Sequence, residues 1–91
     1  MFKGGRRTVS VPGVPEPLRD TPQRFSRLMV QALWSNTVPV YVGDSNVLAA
    51  AGFENFPGLP ALASLDVLNG DLHDVYIDST VAAEGVVFSW E

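Results

Sequence analysis

The sequence contains no cysteine and only one histidine, His73. Disulfide bonds and thiolate metal sites are therefore excluded, and one imidazole cannot build a histidine-rich zinc site. A chain of 91 residues is also a small domain, and such domains bury only roughly 60–65% of the surface that the unfolded chain exposes. Because disulfides and such metal sites cannot add stability to this small domain, we expect oligomerisation or docking onto a larger partner to stabilise the fold.

Long apolar runs are missing as well. No stretch of about 18 apolar residues occurs, so the sequence predicts no membrane-spanning helix. Charged residues make up 18% of the chain, which is low against a typical value of about 25%, whereas apolar residues make up 46%. Little charge combined with much apolar surface is typical of proteins that have part of their surface covered by a partner.

Positive charge is absent after Arg27. The first 27 positions hold all six basic residues against two carboxylates, Glu16 and Asp20, whereas residues 28–91 hold eight carboxylates and no basic residue. This segregation is compatible with an ordinary solvated surface. It is also compatible with a basic N-terminal arm that reaches an acidic surface on a neighbouring copy or another partner. Direct nucleic-acid binding is not expected, because no basic residue is interleaved with the aromatic residues beyond Phe25.

The N-terminal segment differs from the rest of the chain. Residues 1–23 hold four of the seven prolines and three glycines, a composition that disfavours a helix. We predict an extended basic arm over 1–23, with one short strand at Arg6–Val11, and a β-sandwich over 24–91. Together they form a single domain.

Period-2 alternation dominates from residue 24 onward. In Arg24–Trp34, one face carries Leu28, Val30, Ala32 and Trp34, which predicts a strand, although a helical stripe through Phe25, Leu28, Met29, Ala32 and Leu33 competes. The polar turn Ser35-Asn36-Thr37 leads into the alternating Val38–Val42. The two strands are predicted to form a hairpin, which favours the strand over the helix.

The second half of the chain contains further short strands separated by turns. Strands are predicted at Ala61–Leu68, Asp74–Ser79 and Val86–Trp90, and Val47–Ala51 is either a strand or one helical turn. Turns are predicted at 43–46, 69–71 and 84–85, and a loop at Gly52–Pro60. The spacing predicts an all-β fold, a small jelly-roll-like β-sandwich of six to eight short antiparallel strands with an extended N-terminal arm.

No constellation of catalytic residues is recognisable. The densest group of potential ligands, Asp71, His73, Asp74 and Asp78, is split between strand faces by alternation, which favours solvated edges and a turn cap over a metal site. There is no nucleophile elbow, triad or phosphate-binding glycine motif. We therefore predict a protein that is not an enzyme and has no catalytic, cofactor-binding or metal-binding residue.

The predicted partner-binding residues are of two kinds. Aromatic residues in arm or loop contexts and basic residues of the N-terminal segment are both enriched at buried centres of interfaces. These candidates are Phe2, Lys3, Arg6, Arg7, Arg19, Arg24, Phe53 and Phe56.

Several segments together resemble small structural proteins of tailed bacteriophage particles. They are Arg6-Arg7-Thr8-Val9-Ser10-Val11, Met29-Val30-Gln31-Ala32, Val40-Tyr41-Val42-Gly43-Asp44-Ser45, Leu65-Asp66-Val67, Val75-Tyr76-Ile77-Asp78 and Gly85-Val86-Val87-Phe88. The resemblance rests on strand and turn residues of a compact β-sandwich.

The resemblance implies a virion protein made in the bacterial host cytoplasm and located on the capsid surface. Its expected function is that of a decoration or cement protein, which binds the major capsid protein, bridges neighbouring subunits and forms homo-oligomers. The alternative is a fibre, spike-base or tail-attachment module. Neither function requires a cofactor, a membrane or direct contact with nucleic acid. A carbohydrate-binding or enzymatic β-sandwich is disfavoured, because the spacing does not cluster carboxylates or aromatic residues on one face.

Overall fold

The computed structural model describes residues 3–47 and 58–91. This part of the chain contains eight strands and one short 3-10 turn, Leu72–Asp74. The strands are β1 Lys3–Thr8, β2 Glu16–Pro17, β3 Arg24–Ala32, β4 Val40–Gly43, β5 Gly58–Leu59, β6 Ser64–Asp71, β7 Tyr76–Asp78 and β8 Gly85–Trp90.

The strands form two four-stranded antiparallel sheets. The first sheet has the order β1-β8-β3-β6 and the second has the order β2-β7-β4-β5. The chain passes from one sheet to the other at nearly every connection, so the sheets are interleaved in sequence. The predicted small all-β sandwich is confirmed.

The core lies between the inner faces of the two sheets. In the first sheet, Val86 and Phe88 of β8 face inward beside Leu28 and Val30 of β3. In the second sheet, Ile77 of β7 is fully buried. The remaining buried apolar residues of this cluster are Val9, Leu18, Phe25, Ala32, Val40, Val42, Leu59, Leu72 and Trp90. The alternation that predicted the strand at Val86–Trp90 is thus the alternation of core and surface positions.

The ambiguous segment is a strand. Arg24–Ala32 forms β3, with Leu28, Val30 and Ala32 buried, so the competing helix is excluded. The strand contains a bulge near its start, because the backbone N–H groups of Ser26 and Arg27 both donate to the carbonyl of Glu91. The bulge places two exposed residues between buried Phe25 and buried Leu28, which strict alternation does not allow.

The predicted hairpin between this strand and Val38–Val42 is wrong, because β3 and β4 belong to different sheets. The connection is tied to the start of β8 instead. The Asn36 side chain donates to the carbonyl of Gly85 at 2.9 Å and accepts from its N–H at 3.1 Å. The Glu84 carboxylate accepts from the N–H groups of Thr37 and Val38. These bonds redirect the chain across the sandwich before β4 begins.

The turn predicted at Asn69-Gly70-Asp71 is also wrong, since all three residues lie in β6. Asn69 has a positive φ of 54°, a conformation that asparagine tolerates better than most residues. Gly70 pairs with Phe25, and a Cβ on Gly70 would lie 2.9 Å from the Phe25 ring. Here the glycine leaves room for a cross-strand aromatic ring. The chain reverses direction only afterwards, in the 3-10 turn Leu72–Asp74.

The N-terminal segment is part of both sheets. The strand predicted at Arg6–Val11 spans Lys3–Thr8 and pairs with β8, and Glu16–Pro17 adds a second strand that pairs with β7. Val9 and Leu18 are buried in the core, at 1% and 3% exposure. In contrast to the extended arm predicted over 1–23, residues 3–23 therefore contribute strands and core side chains to the sandwich.

Candidate functional site

The predicted basic residues have different surroundings in the structure. Arg7 lies on the inner side of β1, and its Nη2 pairs with the carboxylates of Glu16 at 3.4 Å and Asp20 at 3.2 Å. It thereby ties the first sheet to the segment that carries β2. Arg19 bonds the hydroxyl of Thr21 and the side-chain oxygen of Gln23, which keeps it within its own loop.

Three further candidates are exposed, in addition to the exposed Arg19. Lys3 and Arg6 are exposed on β1, and Arg24 is exposed at the start of β3 opposite Asp71. The aromatic candidates Phe2, Phe53 and Phe56 lie outside the described residues.

The acidic cluster near residue 71 has a structural role. Asp71 caps the 3-10 turn by accepting from the N–H of His73 at 2.9 Å, and it also accepts from the N–H of Gln23 at 2.8 Å. The Gln23 and His73 bonds hold the pKa of Asp71 below its ordinary value of 3.8. Asp78 is fully buried and accepts from the N–H groups of Gly13 and Ser79. Within residues 3–47 and 58–91, no group of three or more potential ligands is placed to hold a metal ion.

A second buried carboxylate organises the connection after β3. Glu84 is 6% exposed, and its Oε1 accepts from the Thr37 hydroxyl, the Thr37 N–H and the Val38 N–H. The bond from the Thr37 hydroxyl contributes most to lowering the pKa of Glu84 below its ordinary value of 4.5, and the two backbone bonds act in the same direction. The charged form of Glu84 is therefore the form that the fold stabilises.

The solvent-facing side of the first sheet exposes several apolar side chains. We call this surface the outer face, and its central residues are those that alternate with the core positions of β8, β3 and β6. Met29, Val87 and Leu68 are 44%, 38% and 68% exposed there. The other members are Arg6, Arg27, Gln31, Ser64, Asp66 and Ser89. The outer face thus combines apolar contact area with two arginines and a single carboxylate.

Two more exposed apolar residues lie at one end of this sheet. Trp34 is 79% exposed in the turn that follows β3, and Leu62 is 62% exposed in the turn that precedes β6. Leu62 is held beside β3 because its N–H donates to Ala32 O at 3.2 Å and its carbonyl accepts from Gln31 Nε2 at 3.1 Å. Exposed tryptophan and arginine next to apolar side chains are typical of residues that anchor an interface.

Sequence reasoning missed Trp34 as a surface residue. Alternation placed Trp34 on one strand face with Leu28, Val30 and Ala32, which are buried in the structure, but β3 ends at Ala32. The turn composition of Ser35-Asn36-Thr37 is the signal that could have placed Trp34 on the surface. The turn in the structure begins one residue before this segment, at Trp34. Val87 could have been predicted as a surface residue from the sequence, since it alternates with the core residues Val86 and Phe88.

The outer face and the Trp34 end together expose the apolar side chains Met29, Val87, Leu68, Trp34 and Leu62 to solvent. No ligand-sized cavity is found in the described part of the chain. No helix among those residues is long and apolar enough to cross a membrane. Comparison with known proteins finds no matching family model, curated protein or solved structure.

Proposed function

We propose that this chain is a structural protein of a tailed bacteriophage virion that decorates the capsid shell and bridges neighbouring capsid subunits. The observation that carries the proposal is the outer face with its exposed Met29, Val87 and Leu68, together with exposed Trp34 at its end. A compact all-β sandwich with this surface suits binding and assembly. The resemblance of the strand and turn segments to phage structural proteins supports the same function.

Bridging explains how so small a domain acts as a cement. A site that spans the seam between two subunits is complete only when both subunits are in place, so binding favours the assembled shell over separated subunits by mass action. The apolar residues of the outer face supply contact area, whereas Arg27 favours an acidic patch on the major capsid protein. Many copies on one shell would add such contributions over the whole particle.

The location of the protein on the particle tests this function. We expect labelled protein to decorate the head of the phage that encodes it, with a copy number comparable to that of the major capsid protein. Quantitative mass spectrometry of purified particles and electron microscopy of the labelled protein measure these quantities. A small fixed copy number at the tail would overturn the decoration role in favour of a fibre or tail-attachment role.

A single substitution at Trp34 tests the proposed binding surface. The substitution Trp34→Ala should weaken binding to undecorated shells by about 30-fold, because truncating an interface tryptophan costs about 2 kcal/mol or more. The fold should be retained, since the side chain is 79% exposed. The measurement is a binding isotherm on shells that lack the protein.

The matched control is Val14→Ala. Val14 is 52% exposed in the loop between β1 and β2, away from the outer face. This variant should bind shells as the unsubstituted chain does. Equal binding by all three proteins would remove Trp34 from the proposed interface. Deleting residues 1–23 is not a useful test, because it would remove two strands and two core side chains.

A further inference from the structure

The first sheet has two free edges. Strands β1 and β6 are the outermost strands, and within the described residues each has a neighbouring strand on one side only. Unpaired strand edges expose backbone N–H and C=O groups that are ready to pair with another strand. The two edges belong to the same sheet, so a partner for one could be the other edge of a second copy.

The outward backbone groups of β6 can be identified from the ladder. Ala32 donates to Ala63 O and accepts from Leu62 N–H, so the polar backbone groups of Ala32 point toward the β6 side. The register continues with Val30 opposite Leu65. Because the direction of these groups alternates along a strand, Ser64, Asp66 and Leu68 direct their N–H and C=O groups to the free side of β6.

The same reasoning applies to β1. Val9 donates to Glu84 O and accepts from Ala83 N–H, so its backbone groups point to the β8 side. Alternation then directs the groups of Thr8, Arg6 and Gly4 to the free side of β1.

We infer that β1 of one copy pairs with β6 of a second copy, so that the first sheet continues from molecule to molecule. Successive neighbours in this sheet are all antiparallel, so β1 and β6 run in opposite directions. A second copy in the same orientation therefore presents an antiparallel strand to the free edge. The contact is head-to-tail and joins the outer faces of the two copies side by side.

Side-chain complementarity selects both the partner and the register. Placing Arg6 opposite Asp66 of the second copy also places Thr8 opposite Ser64 and Gly4 opposite Leu68, and all three pairs have backbone groups directed at each other. Arg6 and Asp66 are exposed on the same side of the sheet. Pairing β1 with another β1 in the corresponding register would instead oppose Arg6 to itself, and pairing two β6 strands in the same way would oppose Asp66 to itself.

This inference does not rest on the proposed virion function, because it concerns the purified chain alone. Failure of shell binding would leave it intact, and failure of self-association would leave the shell-binding proposal intact.

Cysteine cross-linking tests the register directly, because the chain contains no cysteine of its own. An equimolar mixture of the Thr8→Cys and Ser64→Cys chains should form a disulfide-linked dimer at least about tenfold faster than a mixture of Thr8→Cys and Leu68→Cys. In the inferred register Thr8 faces Ser64, whereas Leu68 lies four residues away, about 13 Å, which exceeds the reach of a disulfide. Equal rates in the two mixtures would overturn the register.

Charge reversal tests the pairing without cysteines. Arg6→Glu and Asp66→Arg should each raise the dissociation constant for self-association by about tenfold, and the doubly substituted chain should recover the original value. Within one molecule the two residues are separated by three strand spacings, about 14 Å, so an intramolecular contact cannot explain the recovery. Sedimentation equilibrium measures the association, and circular dichroism checks that each variant is folded.

Two results would contradict the inference in this second experiment. One is an unsubstituted chain that stays monomeric at every concentration. The other is a doubly substituted chain that associates no better than the single variants. An acidic strand of a different protein would then be the better occupant of β1.

Discussion

Replacing Gly85 by alanine should destabilise the protein by about 3 kcal/mol or more. Gly85 begins β8 opposite Thr8, and a Cβ at this position would lie 2.2 Å from the carbonyl oxygen of Arg7 and 2.8 Å from the Cα of Thr8. Both atoms belong to the backbone, so no side chain can rotate away, and β1 must move off β8. Overpacking commonly costs about 1–3 kcal/mol, and more where the backbone itself must shift.

The effect is large relative to the total stability expected for 91 residues, which is about 5–10 kcal/mol. Denaturant unfolding followed by circular dichroism measures it. Gly13→Ala is the matched control, because Gly13 has a positive φ of 85° but a Cβ added there would meet no atom within 4 Å. That variant should lose about 1 kcal/mol through backbone strain alone. Equal losses in the two variants would contradict the close approach of β1 at Gly85.

Removing the Glu84 carboxylate should have the second largest effect. The substitution Glu84→Ala should destabilise the protein by about 2–3 kcal/mol, because it leaves the N–H groups of Thr37 and Val38 without their acceptor in a partly buried site. The connection that carries the chain from β3 to the second sheet would lose its anchor at the same time. Thermal and denaturant unfolding at neutral pH measure the change.

Glu84→Gln is the control that separates the acceptor from the charge. A glutamine carbonyl can still accept from Thr37 and Val38, so this variant should retain most of the stability at neutral pH. A Glu84→Gln variant as unstable as Glu84→Ala would show that the negative charge, rather than the acceptor oxygen, holds the connection.

Acid should weaken the fold through Glu84 and Asp71. The folded pKa of each lies below its ordinary value, 4.5 for Glu84 and 3.8 for Asp71, because hydrogen bonds from Thr37 and from Gln23, respectively, favour the ionised form. The stabilisation is therefore fully present above these ordinary values and is lost as the pH falls through the folded pKa values. Unfolding free energies measured from pH 7 downward should fall in this acidic range, and less steeply in Glu84→Gln. An unchanged slope in that variant would contradict the contribution of Glu84.

Part of the candidate surface could be predicted from the sequence. Arg6 was predicted as a partner-binding residue from the concentration of basic residues, and the structure places it exposed on the outer strand β1. Arg7, its sequence neighbour, is instead paired with Glu16 and Asp20. Adjacent residues of a strand point to opposite sides, so only the sheet geometry decides which arginine faces solvent and which faces the second sheet.

The strands themselves were largely predictable, but their partners were not. The alternation of Val86, Phe88 and Trp90 is a local pattern, and it correctly predicted the strand, in which these three residues form the buried side. The turn at Ser35-Asn36-Thr37 was equally visible, yet it connects two sheets rather than two paired strands. Its path depends on Asn36 and Glu84 bonding to residues far away in the sequence.

The glycine residues, too, were visible in the sequence, but their structural roles were not. Asn69-Gly70 has the composition of a hairpin turn, but Gly70 lies in β6, where the ring of Phe25 occupies the space beside it. Gly5 faces the ring of Phe88 and Gly58 faces the ring of Tyr41 in the same way. A glycine that leaves room for a cross-strand ring cannot be distinguished from a turn glycine until the strand pairing is known.

The sequence by itself determined an all-β chain without disulfides, with alternating strands and with its basic residues at one end. Each of these properties follows from composition or from the period of two that an extended backbone imposes on its side chains. The tertiary structure alone decided that residues 3–23 belong to the sandwich, that Trp34 is exposed, and that β1 and β6 are the edges of one sheet. These features depend on which distant segments pair, because pairing determines the buried side of a residue and the strands that remain without a neighbour.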